Sequence, residues 1–274
     1  MRKKTLFVIK YIAIAIVAVI ILIPVYDMVV NSFKTEKDAR IPTLNIPTEL
    51  NIIDNYKEAI EKGKVIQGFK NSLLITLSST VIILVISVMA AFVFGRRKGR
   101  GIRAVFLVFL IGIITPPSFI MSLMLLRALN MSGTYQGIIL FYSATFCAFP
   151  IFLLSGFMAT IPKEIEESAV IDGASSFQVL LKIILPQMKP AIATCFIWVF
   201  LKIWNDFLIP LYLLAGNIRR YTIVLGLYTF KGQYTTAWNL IFADLILVSI
   251  PVVIAYLFAQ RQIIEGLGAG ALKG

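Results

Sequence analysis

Few residues in this chain have the chemistry to make or break a covalent bond. There is no histidine, so imidazole base catalysis and His-bearing metal sites are both unavailable. Neither a G-x-x-x-x-G-K-[ST] phosphate loop nor a G-x-S-x-G nucleophile turn occurs. Cys147 and Cys195 lie singly inside apolar runs and read as small hydrophobes, not as a disulfide or metal pair. What remains is a set of charged side chains in apolar surroundings: Asp27, Lys202, Asp206 and Asp244. Ionisable groups at such positions mark substrate or ion paths. Around two of them, Trp198, Lys202, Asn205 and Ile209 recur at helical spacing, with Trp204 and Asp206 beside them. Asn205 and Asp206 offer partners for hydroxyl groups, and Trp198 or Trp204 offers a flat apolar face. The other use of such a stripe is packing against neighbouring helices. Lys202 and Asp206, four residues apart, are also placed to pair with each other.

The elements that must carry this stripe are apolar throughout. Hydrophobic residues make up 59% of the 274 positions and charged residues 15%, against about a quarter charged in a soluble domain. A helix needs about 20 predominantly apolar residues to cross a bilayer. Six segments qualify: 6–30, 72–95, 104–126, 137–160, 191–214 and 239–260. They take up just over half the chain, which predicts an all-α, polytopic membrane protein with six transmembrane helices in a single domain. Arg2, Lys3 and Lys4 ahead of the first run also fit a secretory signal. That run is too long for a signal core, and no small-x-small cleavage site follows it, so it reads as an uncleaved first helix.

The net charge is +12, from 26 Lys and Arg against 14 Asp and Glu. No aromatic-interleaved basic patch points to nucleic acid, so the excess reads as topology. Arg96, Arg97, Lys98, Arg100 and Arg103 crowd the link between the second and third spans. That link, both termini and the 161–190 segment are therefore expected on the cytoplasmic side, with 31–70 outside. The 31–70 segment holds seven basic and six acidic residues, and long loops obey the rule weakly.

Between the spans the chain is punctuated. A short helix is expected from Ile53 to Glu61, and the second span is expected to open at Asn71-Ser72. Thr115-Pro116-Pro117 must kink or break the third span. The stretch Thr222–Tyr228 is too short to cross and reads as an external, interfacial or re-entrant loop. Gln260–Gly274 reads as a short, flexible, glycine-rich end.

The polar segment 161–190 is the most patterned part. Pro162 and Glu164, Glu166 and Glu167 suit a helix start, and Asp172-Gly173 supplies a stop. Ser175 or Ser176 can cap a second helix with Phe177, Leu180, Leu181 and Ile184 on one apolar face. Pro186 is expected to end it, and Pro190 to start the fifth span.

Glu167-Ser168-Ala169, three residues, Gly173, nine residues and Ile183-Ile184-Leu185-Pro186 resemble the cytoplasmic EAA loop of bacterial ABC-importer permeases. Ser168 replaces the first alanine of that pattern. Phe69-Lys-Asn-Ser72, Trp204-Asn-Asp-Phe-Leu-Ile-Pro-Leu211 and Gln260-Arg-Gln-Ile-Ile-Glu-Gly-Leu267 extend the likeness over nearly the whole chain. They resemble the carbohydrate-uptake, MalG-like branch with its MetI-like permease core. The resemblance implies a sugar-importer subunit in the bacterial inner membrane that is not itself an enzyme. It implies a second permease subunit, usually different in sequence, two ATPase subunits holding ATP and Mg, and an extracytoplasmic sugar-binding protein. It places the ATPase contact on Glu167, Ser168, Ala169, Asp172, Gly173, Ala174, Leu185 and Pro186. The competing expectation, an ion-coupled secondary transporter or channel built on Asp27, Lys202, Asp206 and Asp244, leaves the EAA-like loop unexplained.

Overall fold

The computed structural model describes residues 2–214, 216–230 and 236–271. In chain order the long helices begin with α1 (Arg2–Ser32), α2 (Ile52–Lys62) and α3 (Val65–Arg96). Next come α4 (Arg100–Ile114), α5 (Phe119–Ala128), α6 (Tyr135–Phe146) and α7 (Ala148–Met158). After α8 (Glu164–Ile171), a continuous run comprises α9 (Ser176–Gln178), a π-helical stretch Val179–Ile184 and α10 (Leu185–Gln187). The chain continues with α11 (Lys189–Trp204), α12 (Leu208–Leu213), α13 (Ile223–Gly226) and α14 (Trp238–Ala271). The fold is all-α, as the apolar periodicity predicts.

Among the described residues three helices are each long and apolar enough to cross a membrane, and three bent pairs bring the possible spans to six. The pairs are α4 with α5, bent by 116°, α6 with α7, bent by 45°, and Ser176–Gln187 with α11, bent by 77°. Pro116 and Pro117 account for the first, since neither can donate to the preceding turn. Several expected boundaries move. The second span starts at Val65 instead of Asn71, because its first turns carry no helix breaker other than Gly68. The 191–214 run is not one helix. Pro210 has no amide to donate to a preceding turn and fits the first turn of α12, which the break at 205–207 provides. The glycine-rich end is helical as far as Ala271, and residues 272–274 lie outside the described residues.

The chain divides into two compact units. One comprises Met1–Phe69 and Thr222–Pro251. Its α1 is exposed at every position from Ile9 to Tyr26, an apolar surface compatible with lipid. Below α1 the chain is tied by polar side chains. Lys34, only 3% exposed, donates from Nζ to Asn31 Oδ1 at 2.7 Å and to Thr43 O and Oγ1 at 2.7 and 2.9 Å. Asn31 Nδ2 donates in turn to Asp27 Oδ1 at 2.8 Å. Asn55, fully buried, donates to Ser32 O at 2.9 Å and Lys34 O at 2.8 Å, while its Oδ1 accepts from Asn51 and Asn239. The Thr222–Tyr228 stretch forms α13, capped by Thr222 Oγ1, and a 3-10 turn. A Cβ on Gly68 would approach Ile223 Cα to 3.0 Å, so glycine is needed for this backbone-to-backbone approach.

The other unit, Lys70–Tyr221 with Val252–Gly274, contains two apolar cores among its described residues. In one, Ile75, Ile83 and Leu126 meet Phe141, Tyr142 and Ile203. In the other, Leu154, Met158 and Ile161 meet Leu180, Ile184 and Met188. Asn71 binds the carbonyls of Arg219 and Tyr221 at 2.9 and 2.8 Å and accepts from Tyr135 Oη at 2.9 Å.

Replacing Asn55 by leucine strands two buried carbonyls and two asparagine donors. The Asn55→Leu variant should lose about 2–4 kcal/mol of stability, read as a lower melting temperature in detergent. An unchanged melting temperature would show that this network carries no weight.

Candidate functional site

The 161–190 segment folds as two consecutive caps on one platform. α8 carries Glu164, Glu166 and Glu167 in its first turn, at the positive end of the helix dipole. Its end is a Schellman turn: Ala174 N–H donates to Ala169 O at 2.9 Å and Gly173 N–H to Val170 O at 3.0 Å. Gly173 has φ +87°, the left-handed region where a side chain is disfavoured. Ala169 and Ala174, which bracket that turn, pack on the core around Met158 and Ile184. Ser175 then caps α9, with Gln178 closing a reciprocal capping box.

The second helix departs from its expected phase. A π turn runs from Val179 to Ile184, with Leu185 N–H donating to Leu180 O. Leu181, inside the wide turn, is 44% exposed and Phe177, before it, 65% exposed, while Val179, Leu180, Ile184 and Met188 are buried. Pro186 does not end the helix. The wide π turn absorbs its missing donor, and Gln187 Nε2 caps Ile183 O at 3.0 Å. Leu185 joins the core from the next position.

What holds α8 down was not legible as a motif. Arg96, at the end of α3, forms an ion pair with Glu166 and also donates to Ile161 O at 3.0 Å. The two side chains are 11% and 14% exposed. Glu166 therefore faces the protein, while Glu167, Ser168, Asp172 and Gly173 face outward. Beside them Ile171 is 86% and Val170 58% exposed. Ser168 Oγ donates to Glu164 O at 2.8 Å, which closes the helix on itself.

The stripe on α11 is split by the helix break. Trp198 sits between Phe149, with ring centroids 4.3 Å apart, and Phe146, at 6.3 Å. Lys202 is exposed and its Nζ lies 6.0 Å from the Trp198 ring centre. Asn205 is exposed and donates to Leu201 O at 2.9 Å. Trp204 is only 1% exposed, stacked on Phe200 at 5.5 Å, so in this conformation it offers no free face. Ile209 lies past the break and is buried in a core. Asp206 does not pair with Lys202. Its Oδ1 accepts from Leu208 and Ile209 N–H at 3.0 and 3.3 Å, and its Oδ2 accepts from Tyr142 Oη at 3.1 Å. The structure thus groups Trp198, Lys202 and Asn205 and assigns Asp206 to the start of α12. Elsewhere, Asp244 is fully buried and has no hydrogen-bond partner among the described residues.

Comparison with known proteins accounts for both regions together. Residues 69–266 match the family described as binding-protein-dependent transport system inner membrane component. The chain is 34% identical over 251 residues to the probable starch degradation products transport system permease protein AmyC of Thermoanaerobacterium thermosulfurigenes, covering 91% of each chain. It is 30% identical to the melibiose/raffinose/stachyose import permease protein MelC of Bacillus subtilis, covering 100% of this chain and 99% of that one. Its fold is similar to a chain of a bacterial ABC transporter involved in the import of the acidic polysaccharide alginate. The TM-score is 0.83 at 20% identity, over 95% of this chain and 98% of that chain. With an all-α apolar fold, a matched region that takes in both α8 and α11, and relatives aligned almost end to end, the chain belongs to the binding-protein-dependent transport system inner membrane components.

Proposed function

We propose that this chain is one permease subunit of an ATP-driven carbohydrate importer and forms half of the translocation path. The sugar class rests on relatives named for starch degradation products and for melibiose, raffinose and stachyose. The single observation that carries the mechanism is the two-sidedness of α8. One side is clamped by the Arg96–Glu166 ion pair and by Ala169, and the other presents Glu167 beside a bare Ile171. An isoleucine this exposed, flanked by the outward carboxylates of Glu167 and Asp172 and outside the apolar spans, suits a protein partner. We assign α8 as the helix that docks on an ATPase subunit, where Glu167 meets a basic residue. ATP and Mg belong to that partner, two copies of which serve a pair of permease subunits of different sequence. An extracytoplasmic binding protein delivers the sugar, and both termini of this chain lie in the cytoplasm.

In this reading the clamp makes the coupling rigid. Closure of the ATPase dimer on ATP moves α8 and, through Arg96, the end of α3. Substrate delivery and ATPase state are then linked in both directions. Trp198, Lys202 and Asn205 face the path, with the half-buried Trp198 ring giving it an apolar wall and the other two offering partners to sugar hydroxyls.

Glu167→Lys should leave the chain folded and inserted yet cut sugar uptake by about tenfold or more, the equivalent of losing one charge-assisted contact at a docked surface. Uptake equal to wild type would remove the docking assignment. The α11 residues separate by their readouts. Asp206→Ala removes the α12 start and the Tyr142 partner, and should cost about 1–2 kcal/mol of stability. Asn205→Ala should leave the melting temperature alone and lower uptake. If Asn205→Ala transports normally, the path lies on another helix. Orientation is checked with Arg100→Cys in a background free of Cys147 and Cys195. An impermeant thiol reagent added outside intact cells should leave it unlabelled, and labelling would invert the topology and the placement of α8.

A further inference from the structure

The link between α3 and α4 borders a cleft of about 690 Å³ whose other wall is α7. Four cations line it: Arg97, Lys98, Arg100 and Arg103. Among the described residues none of the four is in an ion pair, whereas their neighbour Arg96 is held by Glu166. α4 starts at the cleft with Gly99 as its N-cap and no side-chain cap, so the positive end of a 15-residue helix adds to the field.

Beneath the cations the surface changes character. Phe94, Phe106 and Phe152 line the cleft, the first two with ring centroids 5.2 Å apart. Among them Ser155 is 7% exposed, and its hydroxyl has no hydrogen-bond partner among the described residues. The floor is open at Gly156, where an added Cβ would meet nothing within 4 Å.

Membrane topology explains why Lys and Arg collect in this link. It does not explain why four of them border one cavity with an aromatic floor and an unmet hydroxyl. A ligand that satisfies all three features carries negative charge at one end, ester oxygens behind it and an apolar tail. We propose that this cleft is a binding site for an anionic phospholipid of the leaflet bordering the link. Its headgroup phosphate lies among Arg97, Lys98, Arg100 and Arg103, the Ser155 hydroxyl donates to a glycerol-ester oxygen, and an acyl chain covers Phe106 and Phe152. A free phosphate would fill a small part of the volume and leave the aromatic floor wet. A zwitterionic lipid would bring a cation of its own against four others.

The test uses the purified transporter complex in nanodiscs of phosphatidylcholine, with and without phosphatidylglycerol. Wild type should retain phosphatidylglycerol through delipidation in native mass spectrometry and melt at a higher temperature when that lipid is present. The double variant Arg97→Gln/Arg100→Gln should retain about tenfold less. Gly156→Leu should lose the lipid to a similar extent with every cation in place, because its side chain enters the open floor. Gly156→Ala should retain it. Melting temperatures in phosphatidylcholine alone show that each variant is folded. If one variant fails to fold, the other decides alone. Equal retention in Gly156→Leu would mean diffuse attraction to the link and would overturn the cleft. Protection by inorganic phosphate equal to that by the lipid would overturn the lipid assignment. So would retention that appears only after the ATPase subunits are stripped away, since their surface would then be the natural cover.

Discussion

A bilayer interior offers a peptide group no water, so each interruption of a helix within it must be closed by the protein itself. Much of this structure consists of such closures. At the 115–118 break, Thr115 donates from its amide and its hydroxyl to Ile111 O. Between α6 and α7, the Cys147 thiol donates to Ala144 O, and Ser87 reaches across to Cys147 O. At 205–207 the Asp206 carboxylate takes two amides of α12 and the Tyr142 hydroxyl. Around Pro186 a π turn and the Gln187 amide share the work. At these breaks the polar side chains are committed first to backbone and only secondarily available to a ligand.

That priority explains what could be read from the sequence and what could not. Apolar runs and the Pro116-Pro117 break follow from local rules, and so do the Gly173 stop and the Ser175 cap. Each depends on residues within a few positions of one another. The Asp206–Tyr142 bond joins residues 64 apart, and the Arg96–Glu166 pair joins residues 70 apart. Arg96 was indistinguishable from its neighbours Arg97 and Lys98 until α8 came to lie against it. The phase of the second loop helix failed for another reason. A helical wheel assumes 3.6 residues per turn, and the wide turn between Val179 and Ile184 takes Leu181 off the buried face that Leu180 and Ile184 keep. The α11 stripe failed by the same assumption, since Pro210 lies beyond the residues that its periodicity joined.

The two candidate regions differ in how the protein supports them. α8 is over-determined, with an ion pair, a Schellman turn and an apolar underside, and the capping box of α9 follows directly. Trp198, Lys202 and Asn205 are held by ring contacts and by the helix alone. In the roles proposed for them, a docking element must keep its shape under load, whereas groups lining a path must release what they hold. The distribution of hydrogen bonds follows that difference.

The bare surface of α1 carries a consequence for biosynthesis. A helix with no described side chain buried between Ile9 and Tyr26 has no core of its own chain to wait for. Its 24-residue apolar stretch, Ile9–Ser32, is about 36 Å long at 1.5 Å per residue, sufficient to enter hydrocarbon on transfer energy alone. It can be inserted as soon as it leaves the ribosome, before the residues that follow it have been made. The polar knot of Asp27, Asn31 and Lys34 closes only when Thr43 has followed. Early insertion would then fix which side of the membrane the remaining chain is threaded from.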